Sequence, residues 1–195
     1  MAAAFQPKFE HPQPEVDFVV GDEASAYGIY GNVVICFGRG EPTLHTAQHY
    51  ARTVRTVAAR GSGWSTLLVA RGRSTPPAEV RERLVAAFRE YQESLTCAAF
   101  VLEGGGFSAA IQRSVVSALL MAVSRSGHMR IFSNVDQATH WMSERIRAEA
   151  DQRSQREYAM ELSGAVRDFC RNYSQRPPRP TPSKPPRRSF MPRWK

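Results

Sequence analysis

Five consecutive apolar residues, Val33 to Phe37 (VVICF), constrain this chain more than any other stretch. A strand with one face in water alternates apolar and polar side chains, whereas a strand covered on both faces does not. The run therefore predicts a central strand in a sheet layered on both sides. Helical patterns able to supply those layers follow it at regular intervals.

Gly38 and Gly40 close the run, and Pro42 and Thr43 open a helix with Leu44, Ala47, Ala51, Val54 and Ala58 at helical spacing, ended at Gly61. A strand follows at Ser65 to Ala70. Ser74 and Thr75, with Pro76 and Pro77, read as the cap and first turn of a helix that buries Val80, Leu84, Phe88, Tyr91 and Leu95. A third strand over Ala98 to Leu102 runs through Glu103 and three glycines into a helix from about Ser108 to Ser124, apolar over a wide arc. Gly127 ends it, His128 to Phe132 gives a fourth strand, and Asp136 caps a helix carrying Ala138, Trp141, Met142 and Ile146. From Asp17 to Phe37 two apolar runs, DFVV and NVVICF, flank Gly21, Gly28 and Gly31, which reads as an antiparallel pair or meander.

Strand-to-strand connections too long for hairpins predict crossovers. The fold class expected is α/β, with a single mostly parallel sheet of about five strands, crossover helices and the first strand as an antiparallel edge. A long C-terminal helix and a disordered basic tail complete it.

With 195 residues, 42% of them hydrophobic, the chain accommodates one ordinary domain with appendages. Residues 1–16, carrying Pro7, Pro12 and Pro14, read as a flexible leader, and 17–148 as the α/β domain. Residues 149–173 read as a C-terminal helical extension. Its start is charged without an apolar stripe, whereas Tyr158, Leu162, Val166, Phe169 and Tyr173 recover one, with a break expected near Gly164. That stripe needs cover, and a second copy of the chain would supply it, which makes a homodimer one expected partner.

The net charge of +8 lies almost wholly in the last 22 residues, which hold seven Lys or Arg and no acid, so that residues 1–173 sum to +1. The tail, 174–195, also holds seven prolines and cannot build a core. Arg179-x-x-Pro182-x-x-Pro185 and Pro182-x-x-Pro185-x-Arg187 suit aromatic grooves that bind polyproline helices. Beyond them lies a basic and aromatic cluster of Arg187, Arg188, Phe190, Arg193 and Trp194. The tail thus reads as a docking segment for a protein partner, as a nucleic-acid or anionic-membrane binder, or as an uncommitted solubilising tail.

Cys36, Cys97 and Cys170 have no C-x-x-C spacing, which favours a reducing compartment. Neither a signal peptide nor a transmembrane segment is discernible, so the expected location is cytoplasmic.

The order of elements over 17–148, the entry VVICFGRGEPTLHTA and the strand, loop and helix at 98–124 resemble the STAS domain family (sulphate-transporter and anti-sigma-factor-antagonist domains) and its CRAL-TRIO-like relatives. The resemblance spans about two thirds of the chain. It implies a non-catalytic signalling or scaffold module that works by protein contact. In the antagonist members a serine at the start of a helix is phosphorylated by a partner kinase, and Ser108 stands near that position.

Three readings attach to Gly104, Gly105, Gly106, Phe107 and Ser108. They form a turn with Ser108 as N-cap, a contact rim with or without phosphorylation of Ser108, or a seat for a phosphate, nucleotide or lipid head group at the helix N-terminus. The stretch matches neither G-x-G-x-x-G nor G-x-x-x-x-G-K-[ST]. His45 and His49 share one helix face without a third ligand in the pattern, so no metal is expected. With no nucleophile elbow and no paired carboxylates, no catalytic residue and no cofactor are assigned. The chain is read as a non-enzyme.

Overall fold

In the computed structural model, which describes residues 16–21, 24–71, 76–103, 128–148 and 151–175, one sheet carries its strands in the order of the chain. They are β1 (Asp17–Gly21), β2 (Ser25–Tyr30), β3 (Val33–Gly38), β4 (Trp64–Ala70), β5 (Leu95–Leu102) and β6 (Met129–Phe132). The first three pair antiparallel and β3 to β6 pair parallel, so the sheet is mixed. Among the described residues the sheet has six strands where about five are expected, the addition being β2, SAYGIY, a strand without an apolar run. The run VVICF does lie inside the sheet, buried throughout between β2 and β4.

Alternate residues of β3 enter two separate cores, as the two-residue period of a strand requires. Val33, Ile35 and Phe37 join Leu67, Val69, Cys97, Ala99 and Val101 beneath α3 (Val135–Ile146) and α4 (Gln152–Ser174). On the opposite face, Val34 and Cys36 join Trp64, Ala98 and Phe100 beneath α1 (Leu44–Ala58) and α2 (Ala78–Glu90). Among the described residues, two helices lie on each side of the sheet and give three layers.

Some helix ends lie where the local signals place them and others are displaced. Thr43 closes a capping box on α1, accepting from the Thr46 N–H at 3.2 Å while its own N–H donates to Thr46 Oγ1 at 2.9 Å. Leu44, however, faces solvent, and Tyr50 and Val57 fill the apolar stripe instead. Pro77 occupies the N-cap position of α2 without a side-chain bond. That helix ends before Tyr91 and passes through a 3₁₀ turn at Gln92–Ser94, so Leu95 belongs to β5 and not to the helix. Asn134, not Asp136, caps α3, its Oδ1 accepting from the Gln137 N–H at 2.9 Å. Asp136 sits in the first turn and reaches α4 instead, accepting from Ser163 Oγ at 2.6 Å and pairing with Arg167.

α4 runs unbroken through Gly164; the interruption lies earlier, between Ile146 and the Asp151 cap. Residues 149–173, read as an extension, place Leu162, Val166, Phe169, Cys170 and Tyr173 in the same core as Val33, Ile35 and Phe37. The stripe that asked for a second subunit is covered by the chain's own sheet.

That packing depends on Gly28, on the β2 face turned toward α4. A Cβ there would overlap Val16 Cγ1 and sit 3.0 Å from Phe169 Cε2 and 3.1 Å from the Asp17 carbonyl oxygen. Gly28→Ala is expected to lower stability by about 1–3 kcal/mol, seen as a lower urea midpoint at unchanged slope. Gly164→Ala should move the midpoint the other way by about 0.5–1 kcal/mol, since a Cβ at this helical position meets open space.

Candidate functional site

The parallel strands end in step: Gly38 lies beside Ala70, and Ala70 beside Leu102. The ladder continues one residue further, with the Arg71 N–H on the Gly38 carbonyl at 2.8 Å and the Glu103 N–H on the Ala70 carbonyl at 3.1 Å. Arg39, Arg71 and Glu103 therefore form a row along the carboxyl edge of the sheet. In α/β sheets this edge is the usual place for ligands, because the loops there are free to vary over a rigid base.

Aromatic rings anchor the two arginines. The Arg39 guanidinium lies 5.3 Å from the centre of the Tyr173 ring, and that of Arg71 lies 5.2 Å from the centre of Phe37. The two rings meet edge to face with centres 5.8 Å apart, so cation, ring, ring and cation alternate across the edge. Arg39 also donates to the Ser174 carbonyl at 3.4 Å, setting a positive charge at the negative end of the α4 dipole. The hydroxyl of Tyr173 donates to the Ser25 carbonyl at 3.0 Å, which ties the last turn of α4 to the start of β2.

Between this row, the start of α3 and the end of α4 opens a cleft of about 440 Å³. Arg71, Arg167 and Arg171 contribute three guanidiniums to its wall and Glu103 one carboxylate. Val135 and Cys170 supply apolar surface, while Asn134, Ser174 and Gln175 supply polar groups. Each arginine has a carboxylate neighbour: Arg71 pairs with Glu103, Arg167 with Asp136, and Arg171 with Asp168 at 3.1 Å. The Glu103 hydrogen bond raises the Arg71 pKa above its already high ordinary value, so this group is cationic at any ordinary pH.

The sequence-predicted sites fall elsewhere or outside the described residues. Gly104 to Ser108 follow directly on Glu103 but lie outside them, as do the helix read over Ser108 to Ser124 and the tail residues Arg179, Pro182, Pro185, Arg187, Arg188, Phe190, Arg193 and Trp194. His45 and His49 pack edge to face on α1, ring centres 4.4 Å apart, and no three His, Cys, Asp or Glu side chains cluster as metal ligands among the described residues. No helix among the described residues is long and apolar enough to cross a membrane.

The cysteines are free and buried. Burial pushes the Cys97 thiol up to about 11 and that of Cys170 up to about 12, and raises Cys36 further still. Since the thiolate is the nucleophile, all three should be inert. Native protein at pH 8 is expected to react with an aromatic disulfide reagent at least ~100-fold more slowly than free cysteine, with three equivalents released only on denaturation.

The cleft residues were not singled out from the sequence. Arg71 and Glu103 each stand one position after an apolar strand, and that shared position is the signal that could have found them. Arg167 and Arg171 recur four apart on a helix, where charge reads as a solvated face. No protein-family model, curated protein or solved structure matches this chain.

Proposed function

We propose that this protein is a non-catalytic interaction module of STAS type, which meets a protein partner through the carboxyl edge of its sheet and is tethered by its basic, proline-rich tail. The observation that carries the reading is the position of Glu103. It lies in the cleft wall at the carboxyl edge, and Gly104 to Ser108 follow it in the sequence. A mixed sheet between helical layers is the architecture such a module requires, though many functions share it.

The tail is the second contact in this reading. Its seven Lys and Arg, with no acid among them, would speed encounter with an acidic surface.

Affinity capture from cell extract, followed by binding measurements with the purified partner, tests both contacts. Three proteins are compared: the intact chain, a chain ending at Gln175, and the intact chain with Ser108→Glu and Phe107→Ala. A partner retained by the short chain and lost by the edge variant supports the edge contact, and one lost only by the short chain assigns the contact to the tail. Equal capture by all three would sink the proposal. If the partner of the tail is a nucleic acid, affinity should fall with salt on a log–log slope no steeper than about −6.

A further inference from the structure

We infer that the carboxyl-edge cleft is a binding site for a phosphate monoester, with Arg71, Arg167 and Arg171 as the groups that hold the phosphoryl oxygens. This goes beyond the contact-module reading and needs neither a protein partner nor the segment beyond Glu103.

Two elements deliver three guanidiniums to one cleft: the end of β4 supplies Arg71, while successive turns of α4 supply Arg167 and Arg171. Guanidinium donors match phosphate oxygens in pairs, and a monoester near neutral pH carries close to two negative charges, which suits several converging cations. Arg71 is also held in place by the Phe37 ring, so less side-chain freedom is lost when it binds.

The carboxylates decide what kind of anion fits. Glu103 lines the cleft, and Asp136 and Asp168 hold Arg167 and Arg171. Carboxylates this close to the guanidiniums repel an extended polyanion such as a nucleic-acid backbone. A single compact dianion can instead replace these carboxylates at the guanidiniums. The exchange is favourable because ion pairs this open to solvent hold their partners weakly: the Arg171 and Asp168 side chains are 64% and 62% exposed, those of Arg167 and Asp136 55% and 59%. Only the Arg71–Glu103 pair is more sheltered, at 42% and 30%. Glu103 is thus the internal competitor of the ligand.

The remaining wall suits the organic part of an ester. Val135 and Cys170 back the wall with the edge of the core, Asn134, Ser174 and Gln175 offer hydrogen bonds, and about 440 Å³ falls within the size of small-molecule sites.

The test uses the full chain and three probes: inorganic phosphate, adenosine monophosphate and an acetylated, amidated phosphoserine. Binding is followed by calorimetry and by the amide resonances of Ser174 and Gln175. Saturable binding of at least one probe is expected, with those amides shifting. The double variant Arg71→Gln, Arg167→Gln should weaken it at least ~10-fold. Glu103→Gln should tighten it about 3- to 10-fold, because Arg71 loses its competitor; a pair that is only structural would not produce that gain. Equal affinity for the three probes means that the phosphoryl group alone is read, whereas a preference for one ester names the source; either result supports the site. No saturable binding of any probe up to about 10 mM, unchanged affinity in the double variant, or weaker binding by Glu103→Gln would each overturn it. Circular dichroism of each variant keeps the comparison to folded protein.

Discussion

A chain ending at Arg147 is expected to lose its cooperative fold. Without α4, the α3 side of the sheet loses the cover of Leu162, Val166, Phe169, Cys170 and Tyr173, all buried in the intact chain. Burying side chains of this size contributes about 1.5–3 kcal/mol each, so the sum reaches roughly 10 kcal/mol, comparable with the whole stability of an ordinary domain. The short chain should show no cooperative thermal transition, weak near-ultraviolet dichroism, and strong binding of a hydrophobic dye. A sharp transition within a few degrees of the intact chain would show that the helix only decorates a self-sufficient sheet.

The second large effect is expected on the opposite face. Trp64, at the start of β4, is fully buried, and its ring packs against that of Phe88 with centres 5.7 Å apart. Its indole N–H donates to the Tyr91 carbonyl at 2.9 Å, where the chain leaves α2. Trp64→Ala should cost about 3–5 kcal/mol and lower Tm by about 10 °C or more. Trp64→Phe should cost much less, because the Tyr91 carbonyl still accepts from the Ser94 hydroxyl at 3.2 Å and the Ser94 N–H at 3.3 Å. A Phe variant as unstable as the Ala variant would place the energy in the hydrogen bond and not in the packing.

How much of this was legible in advance depended on whether the cause was local. VVICF announced a strand covered on both faces because burial on two sides removes the need for alternation, and β3 is such a strand. The Thr43 cap and the Gly61 stop were legible for the same reason, since both act within a turn of their own residue. β2 was not, because SAYGIY becomes a strand through what lies over it: Gly28 leaves room for Val16 and Phe169. Gly164 suggested a break by propensity, yet it faces open space while Leu162, Val166 and Phe169 hold the helix from the other side. Asp136 looked like a cap by residue type, but Asn134 reached the helix end first and left Asp136 to bond across to α4.

The cleft shows the same limit more severely. Arg71 and Glu103 are 32 positions apart, and Asp136 and Arg167 are 31 apart. Each alone is an ordinary surface charge. Only the register of β3, β4 and β5 and the return of α4 along the sheet bring them together. Periodicity and residue type do not encode that return.

The strand order also has a meaning in time. Because β1 to β6 follow the chain, each strand can join the growing edge as it emerges during synthesis. The α4 layer cannot: its last turn is fastened to β2 by the Tyr173–Ser25 bond, 148 residues back along the chain. At about 5–20 residues per second, the face that α4 covers stays bare for several seconds after β6 has been made. The nascent chain therefore passes through an interval in which the part of the sheet that α4 covers is open to chaperones or to other nascent chains, and the rate of translation between Phe132 and Ser174 sets how long that interval lasts.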